Sequence, residues 1–184
     1  MAEMNRVVVV GSSGSGKTTV ARRLATALVA PFLEMDSVFH RYGWADDAPD
    51  DFLPTLDDFT RADRWVVDGN YTSHGVRDVV WPRADTFVWL DPPRRTTVSR
   101  VVRRTLRRLL TREELWGGVK EPFTNLYSRD PYENIIVWTW TRHAHTREKF
   151  ETAMKDGSWH HATVYRLRTL HDVERFLRTR GIRA

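Results

Sequence analysis

"VVVVGSSGSGKTT", residues 7–19, runs four valines into a glycine-rich turn that closes on Gly16-Lys17-Thr18. Gly11-Ser12-Ser13-Gly14-Ser15-Gly16-Lys17-Thr18 meets the G-x-x-x-x-G-K-(S/T) pattern at every fixed position, after an expected strand and before an expected helix. In that setting the glycines let successive backbone N–H groups turn inward onto phosphate oxygens, and the helix start adds partial positive charge. Lys17 is expected to bridge the β- and γ-phosphates, the Thr18 hydroxyl to sit on Mg²⁺, and Thr19 to complete the first turn of the site. The alternative is a glycine-serine turn with no ligand.

The 184 residues suit one domain, and 41% hydrophobic with 29% charged residues is an ordinary globular balance. A net charge of +5 favours an anionic partner without choosing among nucleotides, phosphosugars, RNA and DNA. The absence of cysteine excludes disulfides, thiolate catalysis and cysteine-ligated zinc. The N-terminus carries an acid and its apolar run ends after four valines, so neither a signal peptide nor a spanning helix is expected and the cytoplasm is the default.

Short β-branched runs alternate with helical patterns, which predicts an α/β fold with a mostly parallel sheet. Strands are expected near Arg6–Val10, Phe32–Met35, Trp65–Asp68, Thr86–Leu90 and Thr163–Leu167. From Val98 the apolar positions Val98, Val101, Val102, Leu106 and Leu109 form a helical stripe, with Arg100, Arg103, Arg104, Arg107 and Arg108 expected opposite. Asp130-Pro131-Tyr132-Glu133 reads as the capped start of a helix to about Met154, and a last helix is expected over 172–179. Thr111 to Arg129, with Trp116-Gly117-Gly118, is long for a connection and is read as a lid within the single domain 1–184.

Two acidic stretches lie downstream. "FLEMDSVFH" places Glu34 and Asp36 one residue apart, so as alternate strand positions both would face the phosphate crevice, one near the metal and one on an acceptor hydroxyl. "WVVDGNY" ends a strand on Asp68-Gly69, an acid placed to hold Mg²⁺ directly or through water, beside a glycine that permits close approach. The bland readings are solvated acids at a strand end and an acid that caps a turn.

These stretches, with "TFVWLDPPRR" and "IIVWTWTRHAHTREKFE", resemble a family of small bacterial kinases related to adenylate kinases and described as DNA topology modulation proteins. The resemblance covers nearly the whole chain. More distantly the plan is similar to the nucleoside-monophosphate, shikimate and gluconate kinases, which implies a P-loop fold with a five-stranded sheet in the order 2-3-1-4-5. It also implies that Arg100 and Arg104 sit on nucleotide phosphates, that Glu34 and Asp36 contact metal and acceptor, that Asp68-Gly69 lies by the acceptor, and that Arg129 binds substrate; Arg142 is a weaker candidate. Asn70-Tyr71-Thr72 departs from the aromatic-proline-arginine that follows Asp-Gly in adenylate kinases, so AMP as acceptor is unsupported. "GGVKEPF", 117–123, departs from the family's lid chemistry as well.

Eight arginines between Arg94 and Arg112 raise the question of nucleic acid, but the helix carries no aromatics among them, and most are read as a solvated face. Trp65 and Trp89 are expected in the core, while Trp44 and Trp116 fall in loops near the crevice. His143, His145, His160 and His161 are read as surface or satisfied histidines. The expectation is a phosphotransferase using ATP and Mg²⁺ on a small-molecule acceptor, with catalytic residues Lys17, Asp36, Arg100 and Arg104. The alternatives are a nucleotide-dependent nucleic-acid binder and a kinase of a macromolecule or cell-wall precursor. Arg168-Thr169-Leu170, where this fold reads the base, encodes no preference between ATP and GTP.

Overall fold

The computed structural model describes residues 4–43 and 47–182. Trp44 lies outside them. Five strands, β1 (Arg6–Gly11), β2 (Phe32–Glu34), β3 (Trp65–Asp68), β4 (Thr86–Leu90) and β5 (Thr163–Leu167), pair in parallel in the order β2-β3-β1-β4-β5. This is the five-stranded order that the resemblance implied.

The consecutive valines of β1 follow from burial on both faces. Val8 and Val10 face a core with Met35, Phe52, Trp65, Trp89, Phe150 and Trp159, whereas Val7 and Val9 face another with Leu24, Val88, Phe176 and Leu177. Period-two side chains therefore point to two apolar layers, and no polar alternation survives. Trp65 and Trp89 are core residues, as read. The register sets Asp68 opposite both Val9 and Glu34, which brings two acids to the carboxyl edge beside the glycine-rich turn.

The helices are α1 (Lys17–Leu28), α2 (Met35–Phe39), α3 (Phe52–Phe59), α4 (Val76–Val79), α5 (Arg94–Thr111), α6 (Ile135–Lys155) and α7 (Leu170–Arg178). No helix among the described residues is long and apolar enough to cross a membrane. Four details differ from expectation. Met35 opens α2 and does not extend β2. The helix α6 begins at Ile135, because Asn134 accepts from the Ile136 and Val137 N–H groups at 2.9 and 3.2 Å. Asp130 instead closes a turn on the Tyr132 N–H at 2.9 Å. Thr169 and Asp172 form the capping box of α7, so that helix starts two residues earlier than read.

The fourth concerns the arginine helix. It starts at Arg94, and its buried positions are Thr97, Val101, Thr105 and Leu109, while Leu106 is exposed. The buried stripe is thus rotated toward the flank that carries Arg100, Arg104 and Arg108, all of which are partly buried. Two threonines serve as core positions here, Thr97 donating to the Arg94 carbonyl and Thr105 to the Glu121 carboxylate, which an apolar count overlooks.

At the end of α1, Val29 adopts φ 49° and ψ 47° with 86% of its surface exposed. The left-handed region is costly for a β-branched side chain that gains nothing from packing. Val29→Gly is expected to raise the unfolding free energy by about 0.5–1 kcal/mol, measured by urea denaturation.

Candidate active site

The turn after β1 has the shape its composition demands. Gly14 takes φ +74°, and a Cβ there would lie 2.5 Å from the Thr97 carbonyl oxygen of α5. The loop can seat against α5 only with glycine at that position. Arg100 Nη1 donates to the Ser15 carbonyl at 3.1 Å, and the Lys17 ammonium folds onto the Ser12 carbonyl at 3.3 Å. Burial holds the Lys17 ammonium below the ordinary lysine range; Asp36, Asp68 and Glu34 oppose this, and Arg104 adds to it. Ser12 and Ser15 are buried, Ser13 is half-buried and Thr19 exposed.

Around that ammonium stand three acids. Asp68 is 2% exposed, and its Oδ2 is buried without a hydrogen-bond partner. Burial pushes its carboxyl up to about 7, with Lys17 and a hydrogen bond from the Thr18 hydroxyl acting the other way. Glu34 lies 3.5 Å from the Thr18 hydroxyl and pairs with Arg22 at 3.1 Å. Asp36 reaches the cleft from the first turn of α2, so the alternate-strand argument for the Glu34–Asp36 pair is corrected: the two acids come from different elements. The Tyr71 hydroxyl donates to Asp36 Oδ1 at 2.6 Å, and its ring stacks on Phe39 at 4.4 Å.

A hydroxyl beside an unpartnered buried carboxylate oxygen suits a hard divalent cation, and Mg²⁺ takes one or two carboxylates and completes its shell with phosphate and water. No group of three or more His, Cys, Asp or Glu side chains among the described residues forms a metal cage. The residues present fit a phosphate-borne Mg²⁺ held by Thr18 and Asp68, with Glu34 adjacent.

Without metal, Asp68 has a defined stability signature. Its folded-state proton affinity exceeds that of the unfolded chain, so its contribution is full below pH 3.8 and is lost as pH rises toward about 7. Metal-free Asp68→Asn is expected to lack that pH dependence and to exceed wild type in stability at pH 8 by about 2–4 kcal/mol, measured by denaturation at pH 4 and 8.

The segment after α5 is fastened at its root. Glu121, 4% exposed, accepts from Asn125 Nδ2 at 2.9 Å and Thr105 Oγ1 at 3.3 Å, and pairs with Arg108 at 3.4 Å. Its tip lies against the end of α2, where Trp116 stacks on His40 with ring centroids 6.0 Å apart and Gly117 meets the Arg41 carbonyl. Arg104 lies between root and cleft. Burial and the neighbouring Arg108 lower its proton affinity, Glu121, Asp36 and Glu34 oppose this, and its Nε is buried without a hydrogen-bond partner.

The structure therefore gathers Lys17, Thr18, Glu34, Asp36, Asp68, Arg100 and Arg104 around one crevice. Gly69 is packed on Met35, where a Cβ would lie 2.7 Å from its side chain, so its space is filled by the chain itself. Arg129 is exposed, with no side-chain partner among the described residues, and Arg142 lies over Trp138. His143 and His161 each bond a carbonyl at 3.0 Å, while His145 and His160 are exposed. Sequence reasoning missed Asn70, Tyr71 and Glu121. Asn70-Tyr71 stood out only as a departure, and Glu121 as one acid in an unfamiliar segment.

No protein-family model and no curated protein sequence matches the chain. Solved structures do. Shikimate kinase from Acinetobacter baumannii, in complex with shikimate, aligns with a TM-score of 0.58 at 17% identity, over 96% of this chain and 92% of that one. A sugar kinase from Janibacter sp. HTCC2649 gives 0.55 at 19%, over 98% and 96%. Deoxyadenosine kinase from M. mycoides gives 0.50 at 11%, over 95% and 98%. At such identities these likenesses establish the fold.

Proposed function

We propose that the chain is an ATP-dependent phosphotransferase that moves the γ-phosphoryl group to a hydroxyl of a small molecule. The observation that carries this reading is the meeting of a complete phosphate loop with Asp68, whose buried Oδ2 has no partner, and Asp36, fixed by Tyr71, at one sheet edge. The fold shared with kinases supports it.

In this reading the loop amides and Lys17 bind the triphosphate, and Arg100 and Arg104 offset charge as it spreads over the moving group. Bound Mg²⁺, held by Thr18 and Asp68, would neutralise phosphate charge. Asp36 accepts the proton, or a hydrogen bond, from the acceptor hydroxyl. Residues 111–129 act as the lid, whose tip at Trp116 keeps water, the competing acceptor, from the γ-phosphate.

A nucleic-acid role has less to stand on than the sequence alone allowed. Arg100, Arg104 and Arg108 turn inward, Arg107 pairs with Glu113 at 2.9 Å, and Arg94 stacks on Trp140 at 4.0 Å. Of the eight arginines, Arg95, Arg103 and Arg112 are the exposed ones without a carboxylate or tryptophan partner among the described residues.

The test is incubation with γ-labelled ATP, Mg²⁺ and a pool of small metabolites, followed by chromatography. Label in a hydroxyl compound supports the reading. Release of inorganic phosphate alone, stimulated by DNA or RNA and falling steeply with salt, would overturn it in favour of a nucleic-acid-dependent ATPase.

A further inference from the structure

We infer that Asn70 is a positioning residue for the phosphate loop, acting through Gly11 rather than by touching the nucleotide. This rests on the loop being a triphosphate site, as proposed above. The side-chain amide of Asn70 meets the backbone of Gly11 twice: Oδ1 accepts the Gly11 N–H at 3.2 Å, and Nδ2 donates to the Gly11 carbonyl. Gly11 is the last residue of β1 and the first of the phosphate loop, with φ +149°, and a Cβ there would lie 2.4 Å from the Leu90 carbonyl. At such a residue the ladder ends, and its amide and carbonyl need partners from outside the sheet. Asn70 supplies both in one planar group, which fixes the direction in which the chain leaves the strand.

The neighbours of Asn70 make this more than a local tie. Gly69 donates to the Val9 carbonyl at 3.3 Å and packs on Met35. Tyr71 holds Asp36 at 2.6 Å, and the Thr72 hydroxyl accepts from Lys149 of α6 at 2.7 Å. From Asp68 to Thr72 successive residues thus address the metal-binding edge, the strand, the phosphate loop, the acceptor acid and the helix that returns from the lid. The loop after β3 is a jig that sets the donor phosphates against Asp36, and Asn70 is its contact with the donor side.

Two substitutions separate this from simple packing. Asn70→Asp keeps the size and the acceptor for Gly11 N–H but turns a second oxygen toward the Gly11 carbonyl, whereas Asn70→Ala leaves both Gly11 groups to water. Positioning by paired hydrogen bonds ranks wild type above Ala and Ala above Asp; packing alone ranks the isosteric Asp next to wild type. In nucleotide-free protein, hydrogen exchange of amides 12–16 is expected to quicken about 10-fold in Asn70→Ala and about 30-fold in Asn70→Asp, with exchange in α7 unchanged. Calorimetry should show Mg·ATP affinity lowered about 10-fold and about 100-fold. If Asn70→Asp does not fold, Asn70→Ala carries the test alone. Unchanged loop exchange, or an Asp variant closer to wild type than the Ala variant, would overturn the inference. Lys17→Ala is measured in parallel: wild type that binds no triphosphate, or binds it no better than Lys17→Ala, defeats the site assignment itself, whereas a weakened Lys17→Ala beside normal Asn70 variants defeats only the role of Asn70.

Discussion

Lys17→Ala is expected to lower kcat/KM for phosphoryl transfer by about 10³-fold, or about 4 kcal/mol of transition-state stabilisation. Its ammonium is enclosed by the phosphate loop and three acids, in surroundings where a fixed charge acts more strongly than in water. The energetics of the free protein run the other way. Burial disfavours this charge before nucleotide arrives, so the variant should be no less stable than wild type. Catalytic loss without a lowered denaturation midpoint separates a functional lysine from a structural one, and steady-state kinetics with thermal denaturation reads both. Transfer rates within threefold of wild type would remove Lys17 from the mechanism.

Asp36→Asn is expected to reduce turnover of the acceptor by about 10²–10⁴-fold, the usual range for a positioned acid–base group. Mg·ATP affinity should stay within about threefold of wild type, because the role proposed for Asp36 is toward the acceptor and Asn is nearly isosteric. The Tyr71 hydroxyl would then donate to an amide oxygen, so the geometry around α2 is retained while the proton acceptor is lost. Pre-steady-state transfer to the acceptor identified by label incorporation distinguishes a chemical defect from slow product release. An Asp36→Asn enzyme that transfers phosphate at the wild-type rate would leave Asp68 as the acid nearest the chemistry.

The strands were legible because burial on both faces writes itself as uninterrupted apolar runs, and the phosphate loop because its glycines and Lys17 have few substitutes. Helix starts were less so. Asp130-Pro131 has the residues of a cap, yet those groups close a turn, and a plain Asn134 does the capping. In α5 the core positions Thr97 and Thr105 satisfy their hydroxyls locally or on Glu121, which hides the true stripe and made the inward Arg108 look solvated. The short helices α2 and α4 are set by tertiary packing of Met35, Val38 and Val76, a signal that residue spacing does not carry. Asn70 and Tyr71 escaped for a related reason: each acts on a residue more than 30 positions away.

The buried knot at Glu121 bears on how the segment after α5 would travel as the proposed lid. Its root is bolted to α5 through Thr105 and Arg108, and to the start of α6 through Asn125, whose Oδ1 accepts the Ile135 N–H at 2.6 Å. Detaching that knot would strand a carboxylate away from water, a cost that the tip's contacts with His40 and Arg41 do not carry. In the lid role proposed above, displacement would concentrate at the far end, as in a door on a stiff post, and Trp116 would sweep the widest arc. With the other seven tryptophans left in place as a constant background, the Trp116 indole would be its own gauge, its emission reddening if it leaves His40 and returning if the doorway shuts.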